Sequence, residues 1–295
     1  MSQPTSHPVK AAMWMVGTLT SFTAMAVAGR EMASEHDPFE ILMFRSLVGL
    51  MIVLVVGGLA GTLRQINTSK LHIHLVRNSS HFVGQGLWFL ALGIAPLAQI
   101  FALEFTMPIW ALFLAVFVLG ERLTRVRVET AFIGFIGILI VTRPWAGGLS
   151  IGIIAAAFAA IGFAGAVVFT RLLTRTETIT CILFWLTAIQ LVLGAIFAGI
   201  DGDITMPSPS TAPWLVLIGC AGLTAHFCMT KALSLAPASV ATPVDFARLP
   251  VIAVIGMVFY DEPLQAGVLI GAVIIFAANY RNILTEMRLS GKDAK

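Results

Sequence analysis

Ten stretches of about twenty apolar residues, with breaks too short to hold a folded unit between them, leave this chain few ways to fold. They run over 11–29, 39–62, 76–94, 97–119, 126–143, 149–170, 178–200, 213–234, 238–260 and 264–284. A backbone inside hydrocarbon must satisfy its own hydrogen bonds, and a helix does so within a single segment. The expected fold is therefore all-α and integral to the membrane, with ten transmembrane helices. The longest breaks, 63–75 and 201–212, are too short for a soluble domain. Only 11% of the residues are charged and 58% are hydrophobic, whereas a soluble domain carries about 25% charged residues. A water-soluble enzyme, a disordered protein and a nucleic-acid module are excluded. Cys181, Cys220 and Cys228 all lie in apolar runs and read as buried free thiols.

Lys10, the apolar run after it and Ala26-Val27-Ala28 also resemble a secretory signal with a small-residue cleavage site. The repeat described below requires that segment as a helix. Placing the N-terminus in the cytoplasm puts 14 of the 18 Lys and Arg residues on the inner side, as the positive-inside rule demands. Both termini are then expected in the cytoplasm, with Asp201, Asp203, Asp261 and Glu262 on the outer side.

A shift of 141 residues lays the chain on itself. Ala91-Leu92-Gly93-Ile94-Ala95-Pro96 falls on Ala232-Leu233-Ser234-Leu235-Ala236-Pro237, Glu104-Phe105 on Asp245-Phe246, Glu121 on Glu262 and Arg30 on Arg171. The expected units are 1–145 and 146–295, each with five spans. Five is odd, so the second unit enters the membrane upside down. Inverted repeats around a midplane site characterise many secondary transporters.

Pro108 to Leu123 (PIWALFLAVFVLGERL) and Gly134 to Pro144 (GFIGILIVTRP) resemble the EamA-type ten-helix members of the drug/metabolite transporter superfamily. The resemblance covers about 10–285. It departs at Tyr260-Asp261-Glu262, where the family more often has glycine before the glutamate. The run Asp245-Phe246-Ala247-Arg248-Leu249-Pro250 looks most like a subgroup with presumed S-adenosylmethionine and riboflavin importers. The resemblance implies a bacterial inner-membrane carrier of small organic molecules. Its cavity would lie between spans 1, 3, 4, 6, 8 and 9.

A charge at the bilayer centre costs about 2.5–3.5 kcal/mol on insertion scales, so intramembrane charges are candidate functional groups. Glu104 and Asp245 occupy equivalent places in spans four and nine. They are expected either to exchange a proton or bind a cationic group, or to form a structural pair with a neighbouring helix or with Arg248, which lies three residues after Asp245 on the same helix face. Arg248 is alternatively an anion clamp. Pro108 and Pro250 are expected to soften the helices beside these charges. Gln85 and His226 are offset mates and form a second polar layer with His81 and Asn78. Trp88 either packs in the core or stacks on a substrate ring; Gln99 and Gln190 are weaker candidates. Arg45 is expected to snorkel to the outer interface. Glu121 and Glu262 are expected to tie helix ends to loops. Gly57–Gly61, Gly267–Gly271, Gly134–Gly137 and Gly162–Gly165 are candidate close-approach faces.

The sequence has no GxxxxGK[ST] loop and no HExxH helix, and no cofactor, catalytic residue or metal site is expected. His72 and His74 show no thiol or carboxylate near them in sequence. The expected activity is secondary active transport of an amino acid or similar zwitterion or cation by alternating access, with protons as a candidate partner. A flippase for a lipid-linked substrate and a membrane-embedded enzyme are the alternatives. Expected partners are a small-molecule metabolite and the lipid bilayer, with no nucleic acid, in a monomer or homodimer.

Overall fold

Amides cut off from water have to bond along their own helix, and every regular element of this chain is helical among the described residues. The computed structural model describes residues 8–120, 124–143, 145, 149–200, 202–235 and 245–293. The helices are α1 (Pro8–Met32), α2 (Pro38–Leu59), α3 (Leu71–Ile94), α4 (Leu97–Glu104), α5 (Met107–Leu119), α6 (Arg125–Thr142), α7 (Ile151–Leu173), α8 (Ile179–Ala198), α9 (Ala212–Leu235), α10 (Arg248–Phe259) and α11 (Ala266–Asp293). Their starts follow capping chemistry. Asp37 accepts from the amides of Phe39 and Glu40 while Glu40 reaches back to the Asp37 amide, closing a capping box at α2. Thr124, Ser150 and Thr178 each cap a helix more simply, accepting the amides of Arg127, Ile153 and Cys181 at the starts of α6, α7 and α8.

Among the described residues, seven helical stretches are long and apolar enough to cross a membrane: α1, α2, α4 with α5, α7, α8, α9 and α11. The expected third, fifth and ninth spans fall short for identifiable reasons. α3 is long, but His72, His74, Arg77, Asn78, His81 and Gln85 lower its hydropathy. α6 carries Arg125, Arg127 and Glu129. The described part of the ninth span, 245–260, holds only the twelve-residue α10; its first part, 238–244, lies outside the described residues, as do Glu121, Pro144 and Asp201.

The bundle holds polar and charged side chains inside, set in an apolar core, and covers its outside with apolar ones. Arg45, Arg77, Arg248, His81, Gln85 and Gln190 are buried, while Leu59, Phe117, Phe132 and Phe259 are exposed. That arrangement suits a hydrocarbon surround, which rewards apolar surface and excludes charge. Of the three cysteines, Cys181 and Cys228 are buried free thiols, but Cys220 is exposed, because its stretch of α9 faces outward.

α1 packs along α9, α3 along α7, α2 along α8 and α6 along α11, and α4 crosses α10. Small residues set the crossings. A Cβ on Gly162 would lie 2.6 Å from the Gly84 Cα and 2.9 Å from the Ser80 carbonyl oxygen. One on Gly271 would lie 2.7 Å from the Gly137 carbonyl oxygen. Gly162→Val is expected to push α3 and α7 apart and to cost about 1–3 kcal/mol, read as a lower thermal midpoint of the detergent-purified protein. An unchanged midpoint would show that this crossing does not limit stability. Gly57 and Gly61 form no helix–helix face. Gly57 abuts the side chain of Leu63 in its own connection, and Gly61 takes a turn at φ +67°.

Gly120 and Asp261, another pair at the 141-residue offset, both adopt left-handed backbone, at φ 68° and 53°. This explains the departure at Tyr260-Asp261-Glu262. The position ends a helix in the left-handed region, and aspartate is one of the few side chains that tolerates it.

Candidate functional site

The fourth expected span is broken beside its charge. Pro108 has no amide proton to offer the carbonyl of Glu104. The chain turns at Phe105–Thr106, with the Ile109 amide bonding back to the Thr106 carbonyl at 2.9 Å. The freed Phe105 carbonyl accepts from Nδ2 of Asn279 on α11 at 3.0 Å. The partner segment breaks at the equivalent place, since Ala247 is a turn between Asp245-Phe246 and α10. Phe105 and Phe246, which are offset mates, touch each other with ring centroids 4.4 Å apart.

At these two breaks the structure brings Glu104, Asp245 and Arg248 together. Arg248 Nη2 lies 2.9 Å from Glu104 Oε1 and 3.5 Å from Asp245 Oδ2. Trp88 from α3 donates its indole N–H to Glu104 Oε2 at 2.9 Å, while its ring packs edge-on against Phe89 and Phe101 in the core. The guanidinium carbon lies 4.9, 5.0 and 5.4 Å from the ring centres of Phe101, Phe22 and Phe105. Aromatic faces attract a cation, and three of them enclose this one. Asp245 Oδ1 and Arg248 Nε have no hydrogen-bond partner. One cation against two carboxylates leaves this layer with a formal charge of −1 when both acids are ionised.

A second layer lies beyond Phe22, whose ring also meets His226 at 5.7 Å. Here Arg45 does not snorkel. It is buried and donates Nη1 to Gln85 Oε1 at 2.8 Å and to Gln190 Oε1 at 3.3 Å. Its side of α2 faces α3, α8 and α9 rather than lipid, and Gly222 leaves room for the guanidinium, its Cβ direction running to 3.1 Å from Arg45 Nη2. Gln190 Nε2 pairs with His81 Nδ1 at 2.9 Å, and the His81 and His226 rings lie 6.0 Å apart. Further along α3, Arg77 donates to Asn78 Oδ1 and Thr170 Oγ1. These hydrogen bonds of Arg45 and Arg77 all go to neutral acceptors, which makes this layer electropositive. Gln99 belongs to neither layer; it bonds Gln265 at 3.4 Å.

A third group closes one end of the bundle. Arg30 Nη2 pairs with Glu262 Oε1 at 2.9 Å and donates to the Ala95 carbonyl. The other oxygen of Glu262 accepts the Leu97 amide at 2.8 Å. Tyr260 stacks against Arg30 and donates its hydroxyl to Glu31 at 2.8 Å. Glu262 thus ties the ends of α1, α3, α4 and α10, a larger tie than the helix-to-loop contact expected of it.

Residues 9–143, and again 150–281, match the model of the EamA-like transporter family. The chain is 26% identical to the S-adenosylmethionine uptake transporter of Rickettsia bellii (strain RML369-C), over 95% of each chain. It is 30% identical to the riboflavin transporter of Brucella anthropi, over 90% of this chain and 95% of that one. A pseudopaline exporter of Pseudomonas aeruginosa is 24% identical over 90% of this chain and 93% of its own. A solved crystal structure superposes with a TM-score of 0.65 at 19% identity, covering 95% of this chain and 98% of that one, a likeness of fold alone.

Proposed function

The chain belongs to the EamA-like transporter family, and from that premise we propose that it is a secondary carrier moving a small zwitterionic or cationic organic metabolite by alternating access. Relatives over almost the whole length are named as transporters of small metabolites, so the family places this chain among multi-pass membrane transporters rather than enzymes. Two inverted five-helix units fit three observations. The family model matches twice. The packing pairs α1 with α9 and α3 with α7 exchange under the 141-residue offset. Both broken segments stop at equivalent residues. Discontinuous helices at the midplane are where such carriers bind substrate. Its bacterial transporter relatives support a place in the bacterial inner membrane, and the distribution of Lys and Arg supports both termini in the cytoplasm.

The observation that carries the substrate class is the juxtaposed pair of charged layers on either side of Phe22. The Glu104–Arg248–Asp245 layer is net negative when ionised and suits an amine, sulfonium or proton. The Arg45 layer suits a carboxylate. A metabolite carrying both groups meets opposite charges at its two ends, and Phe22 and Trp88 offer flat surface to a ring between them. An S-adenosylmethionine-like compound fits this pattern better than a neutral flavin. The test is uptake of labelled S-adenosylmethionine, riboflavin and amino acids into proteoliposomes, with and without an inward proton gradient. Saturable uptake of a zwitterion, accelerated by the gradient, is the expected result. Preference for riboflavin would overturn the charge argument, and movement of lipid alone would overturn the metabolite carrier.

A further inference from the structure

At the end of the bundle opposite the Arg30–Glu262 group, a second constellation stands apart from the carrier's polar layers. Sequence spacing leaves His74 without a thiol or carboxylate nearby, and the fold supplies both. Glu177 comes from the turn between α7 and α8 and Cys181 from the first turn of α8. One ligand atom from each of His74, Glu177 and Cys181 lies within 4.8 Å of the other two.

We propose that His74, Glu177 and Cys181 form a binding site for a single zinc-class divalent cation. Four features of the site carry this. His74 is fully buried, yet neither ring nitrogen has a hydrogen-bond partner; leaving such groups unsatisfied costs about 1–3 kcal/mol, and a metal bond satisfies one of them. The donors are one nitrogen, one oxygen and one sulfur, a set that suits zinc and excludes the hard cations magnesium and calcium. Bonds of about 2.0–2.3 Å place tetrahedral ligands roughly 3.3–3.7 Å apart, so small side-chain rotations from the present spacing close the site. The carboxylate is already oriented, because Glu177 accepts from Asn67 Nδ2 at 2.7 Å and Ser69 Oγ at 3.1 Å. Such outer partners fix ligand geometry.

The chemistry balances without an electron donor. The Cys181 thiol, now directed at the Asn67 carbonyl oxygen at 3.6 Å, releases its proton to solvent as sulfur binds the ion. Thiolate and carboxylate then neutralise the +2 charge, His74 binds as neutral imidazole, and water takes the fourth position. The bound ion ties α3, the α7–α8 turn and the first turn of α8 together at one end of the bundle. This is independent of what the carrier moves and of whether it is a carrier.

Trp185 supplies a reporter, since its ring lies 6.2 Å from that of His74. Detergent-purified, metal-stripped protein is titrated with Co²⁺, and near-ultraviolet thiolate-to-cobalt absorption and tryptophan fluorescence are followed. One equivalent is expected to generate the band and quench the fluorescence, and Zn²⁺ is expected to bleach the band. Cys181→Ser should abolish the band, and Glu177→Gln should weaken Co²⁺ binding at least tenfold in protein that remains monodisperse. Cys220→Ser and Cys228→Ser should leave it intact. Absence of a band in monodisperse wild-type protein, or a band undiminished in Cys181→Ser, would overturn the site.

Discussion

Replacing Glu104 by Gln is expected to abolish concentrative uptake while leaving a folded protein. The change keeps the shape of the side chain and removes one of the two carboxylates that hold Arg248. Asp245 still faces the guanidinium, so the arginine is not abandoned, and the loss of one charge-assisted hydrogen bond is worth about 1.5–3 kcal/mol. That predicts a lowered thermal midpoint rather than misfolding. The functional loss is larger because the layer's excess negative charge disappears: one cation now faces one anion, and nothing remains to attract a proton or a positively charged substrate group. Uptake should fall at least a hundredfold. Exchange of labelled for unlabelled substrate separates two roles. A coupling carboxylate, when neutralised, stops proton-driven accumulation and spares exchange; a binding carboxylate stops both. Asp245→Asn should follow the same pattern. If both variants carry substrate at wild-type rates, this cluster is structural and the site lies elsewhere. Arg248→Leu should behave differently, since it leaves two carboxylates facing each other, and breaking a buried pair in this way costs about 3–5 kcal/mol.

The second large effect is expected at the closed end. Glu262→Gln weakens the attachment of Arg30 and of the Leu97 amide together. In the proposed alternating-access cycle, loss of about 1.5–3 kcal/mol from the closed arrangement would shift the equilibrium roughly ten- to a hundredfold toward the open one. The cleft beside this group is lined by Pro96, Ala98, Gln99, Pro263 and Gln265. A cysteine introduced at Ala98, in a chain whose native cysteines are replaced by serine, should react correspondingly faster with a charged thiol reagent when Glu262 is Gln. Equal reaction rates would mean that the Arg30 group is not what holds this end shut. The offset takes Arg30 and Glu262 to Arg171 and Glu121, so Glu121→Gln is the natural comparison.

Much of this was readable from residues because charge is so costly in hydrocarbon. Glu104, Asp245 and Arg248 stand out in an apolar sequence, and the structure joins them. The repeat offset, together with Pro108, pointed to the broken segment. What stayed hidden depends on which way a side chain leaves its helix. Arg45 reads as snorkelling when only its depth is counted, because depth says nothing of azimuth; its side of α2 meets Gln85 and Gln190 instead. The weight of His81 and Gln190 rises for the same reason. The rings of Phe22, Phe101 and Phe105 around Arg248 could not be picked out among 20 phenylalanines, although one signal was present: Phe105 and Phe246 are offset mates beside the two acids. The expected close approach of Gly57 and Gly61 failed because their spacing matches a helix face while Gly61 is already in a turn.

The contact between Phe105 and Phe246 has a bearing on charge parity. In the proposed inverted repeat, two equivalent residues that touch each other would lie next to the axis relating their units. In a pair of identical chains, every group beside that axis is present twice, so two acids would be accompanied by two arginines or by none. Here the counterpart of Arg248 is Met107. A single chain containing both units can place one cation between two anions, an odd sum that no pair of identical halves can make. Joining the halves therefore gives this protein a centre that is geometrically paired but electrically lopsided, with a preferred sign of charge at its middle.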